Sequence, residues 1–374
     1  MFFPCVLCVS LVFRLTAASL SKMSAELKLP SAPCPTFGIS TIAGTGSAGF
    51  AGDGGAATSA KLNKPYGVWG DGVDSLYIAD YNNRRVRLIT LSTGIISTFA
   101  GNGDDTYEGD GGLAVDAAIR RPIHMIGGGG KIFIADRDED VIRVVDSSGY
   151  ISTFAGTGAR GYNGDGIAAT SAEIDRPATL YADTVNNQLY FTEEEGCRLR
   201  RVDLGTGLIY TVAGLGTDSS DGDGGLAKYA RVQKPRGLWL DSSGNIYIGA
   251  TNSHRVRMID AGTGIITTIA GTGDHGNDGD GGDATAARFL HGLTVGGNND
   301  NALYVLDLDA SVLRRIDTQT NIITTVAGTG SKGFDGSGSP AVAHKLDEPR
   351  NMWVDAAGDV YIADSKNHII RKVT

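Results

Sequence analysis

The chain has 374 residues, of which 41% are hydrophobic, and this is enough to bury a large core. Its 54 glycines and only 7% aromatic residues indicate a fold in which turns are frequent. The formal net charge of −9 at pH 7 argues against a nucleic-acid backbone as the main partner.

The first 22 residues form a leader. An apolar run at residues 2–13, followed by small residues, resembles a signal peptide. Arg14 follows the run directly, no basic residue precedes it, and Met23 offers another start. Two interpretations therefore stay open: secretion to the outside of the cell, or a cytoplasmic form that begins at Met23. The run is too short to span a bilayer, so we predict no membrane span, and we assign residues 23–38 to a linker.

The four cysteines do not identify the compartment. Cys5 and Cys8 lie in the leader, and this leaves Cys34 and Cys197. These two form either one disulfide bridge or two separate thiols. Neither has a second Cys or His at the spacing of a metal site.

From residue 39 onward the chain repeats one unit six times. Each unit restarts with an isoleucine-led stretch that ends in Ala-Gly, and the restarts are Ile39, Ile96, Ile151, Ile209, Ile266 and Ile323. A period of 55 to 58 residues indicates a repeat architecture. Within a unit, four short stretches rich in β-branched and aromatic residues alternate with turn formers. The sequence therefore predicts an all-β fold, a six-bladed β-propeller of four-stranded blades over residues 39–374.

The phase of the repeat predicts how the ring closes. The first copy begins with a fourth-strand sequence at residues 39–43, whereas residues 369–374 form a third strand without a fourth. Pairing these two strands would complete the sixth blade and cover two sheet edges. We therefore expect the amino-terminal strand to close the ring.

Loop lengths distinguish the two faces of the propeller. The long crossover between blades and the turn between a blade's second and third strands share one face, which we call the top face. The two shorter turns of each blade lie on the opposite, bottom face. Because most of the sequence outside strands belongs to the top face, we expect recognition there. Trp69, Trp239 and Trp353 occupy equivalent inner-strand positions and are interpreted as packing layers between blades.

The crossovers share a Gly-Asp-Gly sequence. Its aspartates are Asp53, Asp110, Asp165, Asp223 and Asp280, whereas the sixth copy has Ser337. Glycine permits positive φ and Asp caps loops, so a structural role is the favoured interpretation and we expect no cofactor. The alternative is calcium, because the pairs Asp221/Asp223 and Asp278/Asp280 resemble fragments of calcium loops. However, no Glu follows at the spacing that a calcium loop needs.

A second pattern places an acid seven residues before an arginine. The arginine occurs in all six units, as Arg87, Arg143, Arg200, Arg257, Arg314 and Arg371. The stretches Asn367-His368-Ile369 and Asn252-Ser253-His254 within this pattern resemble the NHL-repeat family. The resemblance covers residues 39–374, and the Gly-Asp-Gly-Gly crossovers make the units most similar to NHL repeats of teneurins and bacterial surface proteins. Because catalysis happens once per molecule, we interpret the repeated acid and arginine as an ion pair that braces a hairpin.

The resemblance implies a binding propeller without chemistry of its own. An alternative within the same resemblance is a metal-assisted lyase or hydrolase of the peptidylglycine amidating lyase type, with histidines around zinc at the inner-strand openings. Only His124 and His291 lie near such positions, and catalytic zinc needs three protein ligands.

The candidate binding residues flank the proline that opens each inner strand, where the copies differ most. They are Lys64, Tyr66, Arg121, His124, Arg176, Lys234, Arg236, His291 and Arg350. They predict a cationic channel mouth that binds a protein, peptide, carbohydrate or small anionic ligand. The competing interpretation is that acids of the rim neutralise these cations. We expect the propeller to act as a monomer.

Overall fold

The computed structural model describes residues 37–298 and 301–374. These residues form six antiparallel blades, each with four main strands, arranged in a ring. This confirms the predicted six-bladed β-propeller. The predictions for the leader, for Cys34 and for most of the 23–38 linker concern residues outside the described ranges.

Blades one to three lie in the first half of the ring. Blade one contains β2 (Pro65–Gly70), β3 (Ser75–Asp80), β4 (Arg85–Thr90) and β5 (Ile95–Ala100). Blade two contains β6 (Pro122–Gly128), β7 (Lys131–Asp136), β8 (Val141–Val145) and β9 (Ile151–Ala155). Blade three contains β11 (Pro177–Asp183), β12 (Gln188–Glu193), β13 (Arg198–Asp203) and β14 (Leu208–Ala213), with the two-residue β10 (Ile167–Ala168) added at its outer edge.

Blades four to six complete the ring. Blade four contains β15 (Pro235–Leu240), β16 (Ile246–Ala250), β17 (Arg255–Ile259) and β18 (Ile266–Ala270). Blade five contains β19 (Thr294–Asn298), β20 (Ala302–Asp307), β21 (Val312–Asp317) and β22 (Ile323–Ala327). Blade six contains β23 (Pro349–Val354), β24 (Val360–Asp364), β25 (Ile369–Val373) and, from the other end of the chain, β1 (Ile39–Ala43).

The ring closes in the predicted way. β1 pairs antiparallel with β25, with Ile39 opposite Val373 and Thr41 opposite Arg371. The backbone also joins the two ends beyond the strands, because the Gly38 N–H donates to the Thr374 carbonyl over 2.9 Å. The outer strand of blade six is therefore held to its sheet by contacts between the two ends of the chain.

Helical structure in the described residues is limited to three-residue 3₁₀ turns. Those in the crossovers are Ala57–Ser59, Ala169–Ser171, Ala227–Tyr229, Ala284–Ala286 and Ala341–Ala343, and those after a second strand are Tyr81–Asn83, Arg137–Glu139, Thr251–Ser253 and Ser365–Asn367. None of these turns is long or apolar enough to cross a membrane.

The hydrophobic core consists of clusters between neighbouring blades. One cluster joins blade six to blade one and includes the fully buried Leu76, Ile78 and Ile370. The three tryptophans extend this packing toward the channel. A Cβ built on Gly297 would lie 2.8 Å from the Trp239 ring of the preceding blade, and Gly70 and Gly127 contact Trp353 and Trp69 in the same way. Each tryptophan thus packs on the glycine-containing inner strand of the next blade, as the sequence predicts.

The loops divide between two faces as expected. On the top face, the Asn82 N–H of a second-to-third-strand turn donates to the Asn63 carbonyl at the end of a crossover, over 3.0 Å. On the bottom face, the two short turns of blade one meet, because the Ser92 N–H donates to Asp74 Oδ1 over 2.6 Å.

Candidate ligand-binding site

The repeated arginines and crossover aspartates form one structural network. All six arginines are at most 1% exposed. Five of them pair with the crossover aspartate of their own blade: Arg87 with Asp53, Arg143 with Asp110, Arg200 with Asp165, Arg257 with Asp223 and Arg314 with Asp280. In blade four the second carboxylate oxygen of Asp223 accepts the N–H and the hydroxyl of Thr268 over 3.1 and 2.6 Å. The aspartate therefore ties the third strand to the fourth.

The carboxylates that the calcium alternative would use have partners within the protein. Asp223 and Asp280 both bind an arginine and the outer strand. The neighbouring Asp221 and Asp278 pair with Arg231 and Arg288. Across residues 37–298 and 301–374, no group of three or more His, Cys, Asp or Glu side chains is arranged to hold a metal ion.

The acid that precedes five of the six arginines lies within 4.0 Å of its arginine in two blades, Asp80 with Arg87 and Glu193 with Arg200, and it also binds other groups. We call these side chains the strand-end acids: Asp80, Asp136, Glu193, Asp307 and Asp364, with Ala250 at the equivalent position in blade four. Asp80 accepts the Asn63 N–H and the Asn83 amide, both over 2.7 Å, whereas its nearest contact with Arg87 is 3.4 Å. The strand-end acid therefore holds the end of a crossover against the turn, and its contact with the arginine is secondary.

Charged side chains of several blades meet at the top of the central channel. Arg137 and Arg236 approach Glu194 to 3.3 and 3.8 Å. Burial alone would raise the pKa of Glu194, but Arg236 and Arg137 outweigh it and lower that pKa. Glu194 is therefore ionised at neutral pH and links blade three to blades two and four across the channel mouth.

A stack of cations and aromatic rings lies beside this cluster. Tyr66 and Tyr81 are parallel within 6°, with ring centroids 3.9 Å apart. The Arg350 guanidinium lies 4.8 Å from the Tyr66 centroid and that of Arg121 lies 5.1 Å from the Tyr81 centroid. Such contacts hold planar groups in fixed positions, and here they join blades six, one and two.

Basic side chains outnumber acids in the ion pairs around this mouth. Among the described residues, four acids serve eight cations: Asp138 pairs with Arg121 and Arg137, Glu194 with Arg137 and Arg236, Glu195 with Arg176 and Lys234, and Glu348 with Lys332, Arg350 and Lys366. The rim acids are therefore present, as the competing interpretation requires, but each is shared.

The remaining predicted residues lie around the rim or inside the channel. Lys64, Arg176 and Lys234 each have positive φ immediately before the proline, a conformation that non-glycine side chains rarely adopt. Lys64 has no ion-pair partner within 4.0 Å among the described residues, and its N–H donates to the His368 ring over 3.0 Å. Glu348 has positive φ at the equivalent position of blade six, so this conformation recurs where a crossover meets an inner strand.

His124 and His291, the two histidines that the lyase alternative would use, differ in burial and in contacts. His124 is buried beside the channel, and its Nδ1 accepts the Leu180 N–H over 3.2 Å. Burial lowers the pKa of His124 to about 3, so its ring is neutral. His291 is half-exposed, lies 3.3 Å from Asp309, and packs against His254 and His275. Sequence reasoning missed this histidine cluster, because His254 lies in a second-to-third-strand turn, His275 and His291 lie far apart in one crossover, and the three share no motif.

The channel below the mouth contains a cavity of about 670 Å³. Among the nine predicted residues, His124 alone lines it, and the bottom turns with Asp183, Asp241 and Asp355 surround its lower end. These carboxylates are already engaged, since Asp241, for example, accepts two backbone N–H groups of its own turn over 2.9 Å. The carboxylates at the bottom of the channel are therefore bound by their own turns, whereas the cations at the top mouth share their acid partners.

Comparison with curated proteins finds several relatives of moderate similarity. The chain is 26% identical over 312 residues to the chloroplastic Protein SUPPRESSOR OF QUENCHING 1 of Arabidopsis thaliana, covering 80% of this chain and 29% of that protein. It is 26% identical to human NHL repeat-containing protein 2 and 27% identical to chicken Teneurin-1, covering 67% and 65% of this chain but 38% and 10% of those proteins. The chain thus spans less than half the length of these relatives. No protein-family model matches it.

Solved structures share the fold at lower identity. An auxiliary nutrient binding protein from Bacteroides thetaiotaomicron matches with a TM-score of 0.63 and 16% identity, covering 90% of this chain and 76% of that chain. Virginiamycin B lyase from Staphylococcus aureus matches with a TM-score of 0.54 and 15% identity, covering 90% and 99%. At such identities the likeness concerns the fold alone.

Proposed function

Because the chain is an NHL-repeat β-propeller, we propose that it is a non-catalytic recognition module whose top channel mouth binds a carboxylate-bearing ligand, with a peptide as the favoured class. The observation that carries this proposal is that four acids are shared among eight cations in the ion pairs cited for the mouth. A ligand carboxylate would take a place beside Arg236 and Arg350 that Glu194 and Glu348 fill only in part. The stacked Tyr66 and Tyr81 would offer an aromatic face to the rest of the ligand.

The charge-assisted hydrogen bonds at this mouth fit carboxylate recognition. Arg236 and Arg350 are 15% and 22% exposed, so they are accessible but already partly desolvated. Hydrogen bonds to charged groups contribute about 1.5–3 kcal/mol, and two of them are enough for selectivity between a carboxylate and an amide. The similarity to a nutrient-binding propeller supports a binding role at the level of the fold.

The test is a library of short synthetic peptides, prepared once with free carboxyl termini and once amidated. We expect fluorescence polarisation to detect binding to the free-carboxylate library, with at least a tenfold loss on amidation or in the double variant Arg236→Ala/Arg350→Ala. Arg231→Ala is the matched control, because this arginine forms an exposed ion pair with Asp221 on a crossover. Equal binding of both libraries, or unchanged binding by the double variant, would contradict the proposal.

The metal-assisted lyase or hydrolase stays the alternative function. Elemental analysis of the purified protein distinguishes the two, since stoichiometric zinc would favour the enzyme. Secretion is part of the main proposal as well. Expression with a carboxy-terminal tag would test it, because cleavage after the leader and appearance in the medium are expected, whereas a cytoplasmic product beginning at Met23 would contradict it.

A further inference from the structure

The sixth crossover differs from the other five at the position that binds the buried arginine. Ser337 replaces the aspartate there, and the crossover reads Gly336-Ser-Gly-Ser. In the register of β1 and β25, Thr41 lies opposite Arg371, just as Thr325 lies opposite Arg314 in blade five. The threonine of the network is therefore in place in blade six, whereas the carboxylate is replaced.

Blade five shows what the complete network provides. Asp280 accepts the Arg314 Nε over 3.0 Å, and its second oxygen accepts the Thr325 N–H over 2.8 Å. The Arg314 Nη1 donates to the Arg288 carbonyl, also over 3.0 Å. One carboxylate thus neutralises the arginine and holds the outer strand.

The arginine of blade six has fewer hydrogen-bond partners than its counterpart in blade five. Arg371 is fully buried, and its Nη2 donates to the Gly336 carbonyl over 2.7 Å. Its Nε and Nη1 have no hydrogen-bond partner among the described residues, and Nε is unpaired in Arg87, Arg143 and Arg200 as well. Each of the other five arginines has an acid within 4.0 Å, whereas Arg371 has none among the described residues. Ser337 is too short to replace the aspartate, and its hydroxyl lies 3.5 Å from that of Thr41. A buried guanidinium with two free donors is unfavourable, because the charge has lost water without gaining an acid.

Nearby acids do not fill this place. Asp364 accepts the Asp347 N–H and the Asn367 amide, both over 2.8 Å, and forms no ion pair with Arg371 within 4.0 Å in the described residues. Asp335 accepts the Lys345 N–H over 2.9 Å and lies 3.4 Å from the His344 ring. Both carboxylates are therefore committed to other contacts.

We propose that blade six binds a small carboxylate anion between Arg371, Ser337 and Thr41, in the position that an aspartate side chain occupies in the other blades. Ser337 is exposed, so the position is open to solvent from the crossover side. The arginine belongs to the last strand of the described residues and the threonine to the first. The anion therefore joins the two ends of the propeller and strengthens the closure of the ring.

Formate is the probe, because it is the smallest carboxylate. At constant ionic strength, replacing chloride with formate should raise the melting temperature of the full chain in a saturable way, by about 2 °C for a chain of this size. Hydrogen exchange of the β1 amides, residues 39–43, should slow in the same titration.

Two variants make the test specific. Ser337→Asp supplies the carboxylate covalently, so it should be more stable than the wild type and should no longer respond to formate. Asp280→Ser creates the same arrangement in blade five, so it should lose stability and recover part of it in formate. The proposal is overturned if formate acts like chloride on the wild type, if Ser337→Asp responds as the wild type does, or if Ser337→Asp is less stable.

Discussion

Blade four and blade six each lack one of the two acids near the buried arginine, and they lack different ones. Blade four has Ala250 in place of the strand-end acid but keeps Asp223, which accepts the Nε of Arg257 over 2.8 Å. Blade six keeps Asp364 but has Ser337 in the crossover, and two donors of Arg371 stay free among the described residues. The crossover aspartate is therefore the main partner of the arginine, whereas the strand-end acid mainly binds the crossover end and the turn.

The largest effect expected from this comparison follows from the removal of the Asp223 carboxylate. Asp223→Ser leaves Arg257 without either acid, because Ala250 already occupies the other position. We expect a loss of about 3 kcal/mol in the free energy of unfolding, at the low end for a broken buried pair since Asp223 is 45% exposed. Urea denaturation measures this loss in the free energy of unfolding.

The matched control is Asp53→Ser in blade one, where Asp80 still lies 3.4 Å from Arg87. Its cost should be smaller, about 1–2 kcal/mol. Equal losses in the two variants would show that the strand-end acid gives the arginine no support.

The tryptophans test whether the two blades differ outside the arginine network. Trp239 in blade four and Trp353 in blade six both pack on a glycine of the next blade and beside a tyrosine, with ring centroids 5.0 and 5.1 Å apart. Because both are half-buried, each substitution by Ala should cost about 2–3 kcal/mol in thermal or urea unfolding. A much smaller cost for Trp353→Ala would mean that blade six is loosely closed throughout.

The pH dependence of stability provides another comparison of blades four and six, because Asp364 can take up a proton and Ala250 cannot. Burial raises the pKa of Asp364 to about 7, although hydrogen bonds from Asn367 and the Asp347 N–H and the charge of Arg371 act to lower it. The native state then holds a proton that the unfolded state releases above pH 3.8. The stabilising contribution of Asp364 is therefore complete below pH 3.8 and is lost as the pH rises toward 7, by up to about 1.4 kcal/mol per pH unit.

The variant Asp364→Asn should show a flatter decline of unfolding free energy between pH 4 and 7 than the wild type. Blade four provides the control, because Ala250→Gly changes the equivalent position without changing a charge. If Asp364→Asn and the wild type have parallel pH profiles, Asp364 is ionised throughout and the proposed proton is absent.

The repeat made the fold predictable, whereas the partners within the site required the structure. The period and the phase of the strands were enough for six blades and for the pairing of Ile39 with Val373, because both follow from local patterns. The link from Asp223 to Arg257 spans 34 residues and two strands, so no local motif connects them. The same holds for the charged mouth, where Glu194 meets arginines of neighbouring blades.

The smallest expected effect comes from an ion pair outside the buried network. Arg231 and Asp221 are 42% and 53% exposed in the crossover of blade four, with their charged atoms 2.6 Å apart. Arg231→Ala should change the free energy of unfolding by about 0–1 kcal/mol, because solvent screens the pair and both side chains lose freedom in forming it. The contact of Arg231 with Arg257 uses the backbone carbonyl, which Ala retains. A loss as large as that of Asp223→Ser in urea denaturation would mean that exposed ion pairs, and not the aspartates that bind the buried arginines, set the stability of the blade.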